Sequence, residues 1–239
     1  MPVLDSSRTP ACVGVLGGTG PAATAHLHGL LIAEAQRRFG AHEDAQFPPL
    51  IIFNTPAAVT TAIGWQAKDD ERMVTALRAA AQGLVTAGAQ LIVPACNTVS
   101  CLPDLAASVD VPILSLPELA AQEASERDLR CVGVLCSRLS RERRLHEQTL
   151  GRYGIVAVST TDAEQLTVDD LIAALMSGPA GISELMRLRE LDDRLRARGA
   201  EQTVLGCTEL SLAAWHGTWL DTSHLAASAA LNFAYGAQL

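Results

Sequence analysis

Short apolar runs alternate with longer amphipathic stretches along the chain. ACVGVL (11–16), PLIIFN (49–54), AQLIVPAC (89–96), VPILSL (111–116), RCVGVL (130–135), GIVAVS (154–159) and TVLGC (203–207) have the length of strands. Their continuous apolar character fits strands buried on both faces. Between them, 21–38, 69–87 (ended by Gly88), 142–150, the stretches near 168–176 and 181–198, and the tail from Ser223 read as helices. Such alternation predicts the α/β class, with mainly parallel sheets flanked by helices.

One strand is written twice. CVGVL occupies 12–16 and again 131–135. A second pair follows in the same order: the strand ending in Cys96 and the strand ending in Cys207, each cysteine followed by a threonine within two residues (Cys96-Asn97-Thr98, Cys207-Thr208-Glu209). The offsets are similar, 119 and 111 residues. Two pseudo-symmetric α/β halves account for this better than chance likeness of buried strands. The expected division is 1–104 plus 212–239 for the first half and 105–211 for the second.

Ligands of open parallel sheets bind beyond the carboxyl ends of the strands, where helix N-termini also point. A cysteine placed there has its thiolate favoured by the helix dipole and can act as a base or nucleophile. Asn97, Thr98 and Thr208 are suited to hold a carboxylate. Two such sites face to face would put one thiol on each side of a small ligand. Inverting a stereocentre needs that arrangement, because one base removes a proton and the opposite acid returns one.

Composition narrows the alternatives. The 239 residues are 49% hydrophobic, enough for a sizeable core, and the formal net charge is −8. An acidic chain without a basic block argues against nucleic acid and anionic membrane as partners. No apolar run approaches the roughly 18 residues of a membrane span, and MPVLDSSRTP lacks the apolar centre of a secretory signal. A cytoplasmic location is expected. The six cysteines are Cys12, Cys96, Cys101, Cys131, Cys136 and Cys207. Without a secretory context they read as free thiols. No CxxC occurs, and the 96/101 and 131/136 pairs lack neighbouring histidines, so no metal site is expected. Cys12, Cys101 and Cys131 are assigned to packing.

The motifs LGGTGPAAT (16–24), FNTP (53–56), PACNT (94–98), the EQ of TTDAEQ (160–165), LGCTEL (205–210) and LDTS (220–223) run nearly the whole chain in one order. On them the chain resembles the aspartate/glutamate (Asp/Glu/hydantoin) racemase superfamily, and within it the cofactor-independent aspartate racemases. The resemblance implies two α/β/α domains with the site in the cleft between them and a C-terminal segment returning to the first. It implies Cys96 and Cys207 as the acid/base pair and no cofactor. Gly18, Thr19, Gly20, Asn54, Thr60, Thr61, Asn97, Thr98, Ser137, Thr208 and Glu209 would form the substrate-binding set. The expected partner is a small amino acid or carboxylate, and the expected assembly a homodimer.

The chain departs from the family pattern in three places. The Pro-Asp-Arg that follows its Asn-x-Pro motif is Val59, Thr60 and Thr61 here. Its lysine upstream of the second cysteine aligns near Met176, and its CNTxH histidine is Ser100. The proton chemistry survives, but the cationic grip on an acidic side chain is lost. Arg138 is a candidate replacement cation, although the run Arg138, Arg141, Arg143, Arg144 also reads as a solvated helix face. Glu209 either orients a thiol, binds the substrate amine or forms a buried cap. His26 and His28 fall on the first helix; His216 and His224 flank a loop near the C-terminus.

Other readings stand beside racemisation. Relatives in the superfamily isomerise maleate or decarboxylate malonates. Gly18-Thr19-Gly20-Pro21-Ala22-Ala23 fits a dinucleotide-binding G-x-G-x-x-A, but the next strand ends in Asn54-Thr55 and not in the acidic residue a ribose needs. A non-catalytic carboxylate-binding protein is also compatible.

Overall fold

The computed structural model describes residues 9–55, 70–214 and 219–236. Thr60, Thr61 and His216 lie outside them. The chain forms two parallel sheets. The first has the order β2-β1-β3, with β1 Val13–Gly17, β2 Leu50–Asn54 and β3 Leu91–Pro94. The second has the order β5-β4-β6-β7, with β4 Cys131–Cys136, β5 Val156–Ser159, β6 Gln202–Gly206 and β7 Leu220–Asp221.

The repeated CVGVL sequences occupy equivalent places. β1 lies between β2 and β3, and β4 lies between β5 and β6, all in parallel register. Interior strands are covered on both faces, so they carry apolar residues without alternation. The shared glycine has a packing reason. A Cβ on Gly14 would come within 2.8 Å of Ala89 Cβ, and one on Gly133 within 2.7 Å of Thr203 Oγ1.

Helices cover both faces of each sheet. On one face of the first sheet, α1 (Pro21–Phe39) packs with α10 (Thr222–Tyr235) in a core built on Val13, Leu27, Leu31, Val93, Ala227 and Leu231. Burying a leucine of this kind stabilises by about 1.5–3 kcal/mol. The opposite face carries α2 (Asp70–Thr86). In the second sheet, α8 (Asp162–Ser177) and α9 (Ile182–Ala197) cover one face. The other carries α5 (Leu116–Glu126) and α7 (Leu145–Arg152). Among the described residues, three shorter α-helices are α3 Asn97–Ser100, α4 Pro103–Ala106 and α6 Arg138–Glu142. Among the described residues no helix is long and apolar enough to cross a membrane.

The structure corrects the pattern reading in two places. VPILSL is not a strand; only Ile113 makes an isolated parallel bridge, to Ile92. The segment turns instead into α5, a helix the reading did not assign, with Pro117 in its first turn. The expected helix at 142–150 is two pieces, α6 and α7, joined through Arg144 in the left-handed region (φ 53).

Candidate active site

Each cysteine follows the carboxyl end of a buried parallel strand. Cys96 follows β3 and is the N-terminal cap residue of α3, with extended backbone. Cys207 follows β6, ahead of a 3-10 turn over Leu210–Ala213. Both are buried, 7% and 5% exposed. The two strand ends meet directly, since Thr208 Oγ1 donates to the carbonyl of Ala95 over 3.0 Å. The residue after one cysteine therefore touches the residue before the other. The thiols are close enough for a charge on Cys96 to raise the pKa of Cys207.

Glu209 sits between the halves. Its Oε2 accepts from Cys207 Sγ over 2.9 Å, and its Oε1 accepts from the Gly20 N–H over 3.2 Å. The sequence left its role open; the structure ties it to a thiol and to the glycine loop. That loop is braced by Thr24, whose Oγ1 accepts from Gly18 N–H (3.1 Å) and donates to the Gly20 carbonyl (2.9 Å). Gly18 has φ +105°, and a Cβ there would lie 2.6 Å from the Thr55 backbone, so only glycine fits. Thr19 is buried beside it.

Asn97 is fixed by a relay. Thr222 Oγ1 donates its single proton to the Leu205 carbonyl (2.8 Å), so it accepts from Asn97 Nδ2 (2.9 Å). Asn97 Oδ1 is then left buried without a partner. A buried acceptor in this state is costly unless a ligand supplies a donor. Thr98 Oγ1 lies 2.7 Å from Ser140 Oγ, which accepts from Ser137 Oγ over 3.2 Å. Ser137 thus reaches the site through Ser140 and Thr98. Asn54 ends β2 opposite Gly17, on the same rim, and is exposed.

The thiols are electrostatically unlike ordinary cysteines. Burial pushes Cys96 up to about 12, and Glu209 adds to the rise, while the backbone N–H groups of Val99 and Thr98 oppose it. Burial also holds Cys207 well above its usual value, reinforced by the charge and hydrogen bond of Glu209. The resting pair is therefore protonated at neutral pH, and either thiolate, once formed, is a strong base.

Other expectations resolve differently. Arg138 pairs with Asp169 over 2.6 Å on the surface, so it is already engaged. Arg141 pairs with Asp162 over 2.8 Å. Ser100 donates to the Asn97 carbonyl (2.8 Å) and accepts from Leu116 N–H (3.1 Å), joining α3 to α5. His224 lines a cavity of about 330 Å³ with Trp219 and Asp221, and neither cysteine is among its lining residues. Among the described residues no cluster of His, Cys, Asp and Glu can hold a metal ion.

Sequence reasoning missed His146. It is fully buried on α7, and burial lowers its ring to about 4. A Cβ on Gly206 would lie 2.4 Å from His146 Nε2, so the ring occupies the space under the residue before Cys207. The glycine of LGCTEL marks that close approach.

Fold and site together define a class: an α/β protein of two matched halves, with cysteines at corresponding strand ends that meet between them. Residues 16–221 match the family described as Asp/Glu/Hydantoin racemase, and the chain belongs to that family. It is 24% identical to the broad specificity amino-acid racemase RacX of Bacillus subtilis over 200 residues, 83% of this chain and 86% of RacX. Its fold is similar to that of PH1733, an aspartate racemase homologue from Pyrococcus horikoshii, with TM-score 0.74 and 26% identity over 93% of this chain and 98% of that one. Glutamate racemase from Francisella tularensis, solved with D-glutamate, shares the fold at TM-score 0.64 and 17% identity, covering 98% of this chain and 84% of that one. The chain thus has the fold and family of racemase-type isomerases.

Proposed function

We propose that the chain is a cofactor-independent amino-acid racemase, with Cys96 and Cys207 as its two opposed acid/base groups. The observation that carries this reading is the Thr208–Ala95 hydrogen bond, which joins the two cysteine-bearing strand ends while both thiols feel the charge of Glu209.

In each direction one cysteine enters the step as thiolate and takes the Cα proton. The electron pair left on Cα delocalises into the adjacent carboxylate, flattening the carbon. The opposite cysteine, as thiol, delivers its proton to the other face and ends as thiolate. No electron is gained or lost, and reversing the direction exchanges the two roles. A high thiol pKa helps removal of a weakly acidic proton because base strength follows pKa. It also limits the ionised fraction of the free enzyme. The bound ammonium group relieves that limit by favouring a nearby thiolate. Asn97 Oδ1 is the acceptor set aside for this ammonium. Thr98 and the backbone N–H of Thr208, whose hydroxyl is engaged by Ala95, hold the substrate carboxylate, with the Gly18–Gly20 loop closing the site. The cleft would lie between 1–104 with 212–239 on one side and 105–211 on the other.

The test is deuterium incorporation at Cα when single enantiomers of a broad amino-acid panel are incubated with the protein in D₂O. Exchange accompanied by appearance of the opposite enantiomer is expected. A panel without exchange would sink the reading.

A further inference from the structure

The site described so far handles the α-carbon and its two polar groups. The rest of an amino acid needs a place, and the structure holds a cavity beside it. This cavity measures about 400 Å³, at the small end of ligand pockets. Ala22, on the first turn of α1, forms one wall. Leu175, Met176, Pro179, Ala180 and Leu212 form the others, so both halves contribute.

The glycine loop and Glu209 stand between the cavity and Cys207, and Met176 borders that loop. A Cβ on Gly20 would lie 3.9 Å from Met176 Cε and 2.8 Å from Glu209 Oε1. Glu209 in turn holds Cys207 over 2.9 Å. The methyl of Met176 therefore borders the glycine loop whose N–H binds the thiol's partner carboxylate.

Among the described residues, those lining the cavity carry no ionisable group. Their one hydroxyl, on Ser177, donates to the Ala173 carbonyl over 2.8 Å and is spent within its own helix. The last turn of α8 also ends here, at Ser177 and its C-cap Gly178. The free carbonyls of a helix C-terminus carry partial negative charge. A substrate carboxylate at this end would gain no cation from the described walls and would face that negative end.

We infer that this cavity receives the substrate's side chain, that the side chain is uncharged and apolar, and that Met176 sets this preference. The inference rests on the racemase reading above and adds a substrate class to it. Methionine suits such a wall because its unbranched, polarisable side chain adapts to apolar groups of different shape.

The test compares kcat/KM for Cα deuterium exchange with norleucine, alanine, aspartate and lysine. The wild-type protein should favour norleucine over aspartate and over lysine by at least about tenfold, the scale on which apolar pockets discriminate. Met176→Lys should lower norleucine turnover by about tenfold and raise that of aspartate, reversing the order. Ala22→Leu narrows the cavity from the other half at an exposed position. It should raise KM for norleucine more than for alanine. Wild-type preference for aspartate or lysine, or an unchanged norleucine-to-aspartate ratio in Met176→Lys, would overturn the side-chain assignment and leave racemisation standing. Exchange with no amino acid at all would overturn both.

Discussion

The two cysteine ends are written almost alike, yet their surroundings differ. Cys96 caps a helix start, where the N–H groups of Val99 and Thr98 favour its thiolate. Cys207 points its proton at Glu209, whose carboxylate favours the thiol. Matched backbones thus present unmatched electrostatics. Both thiols rest protonated, and this asymmetry makes Cys96 the easier of the two to ionise when substrate binds. The matched strand ends supply two faces, and Glu209, whose charge raises both thiols, adds a hydrogen bond to Cys207.

The largest expected effect breaks the pair. Cys96→Ser and Cys207→Ser should each reduce two-way racemisation by about 10²–10⁴-fold, because serine is a far poorer base on one face. Polarimetry from each pure enantiomer measures it. A loss of less than about tenfold in either variant would contradict a base on each face.

Removing the asymmetry is the next step. Glu209→Gln keeps the acceptor for Gly20 N–H but deletes the charge. The carboxylate raises both thiols, so its loss should lower both pKa values, Cys207 more because it also loses its hydrogen bond. The alkaline rise of kcat/KM should move to lower pH, with a change of roughly tenfold in rate at neutrality. Thiolate absorbance against pH reports the shift directly.

The smallest effect separates the floors under the two strand ends. Ala95 precedes Cys96, whereas Gly206 precedes Cys207 and rests on His146. The folded-state pKa of His146, about 4, lies below its ordinary 6.5, so the unfolded chain binds more protons between those values. Stability from this group is whole above pH 6.5 and is lost as pH falls towards 4, by at most about 1.4 kcal/mol per unit. Urea unfolding at pH 7 and pH 5 should show a shallower acid loss in His146→Phe than in the wild type.

Much of this was legible beforehand. The continuous apolar character of CVGVL, LIVP and TVLG marked buried parallel strands, because such strands are covered on both faces. The cysteine-threonine endings marked the strand ends that meet through Thr208 and Ala95, because parallel strands direct their carboxyl ends to one rim. VPILSL misled because an apolar run of six fits a strand or a covering segment equally well, and here it only bridges Ile92 before Pro117 starts a helix. His146 escaped because nothing around it in sequence marks burial; its role comes from Gly206, sixty residues away.

The sequence by itself determined the α/β class, the doubled arrangement and the family, since periodicity and motif order are properties of the chain read along its length. Only the tertiary structure decided that Glu209 binds Cys207 and the glycine loop, that Arg138 is held by Asp169, and that Met176 borders an apolar cavity. Those facts depend on distances between residues far apart in the chain, and such distances exist only once both halves have packed.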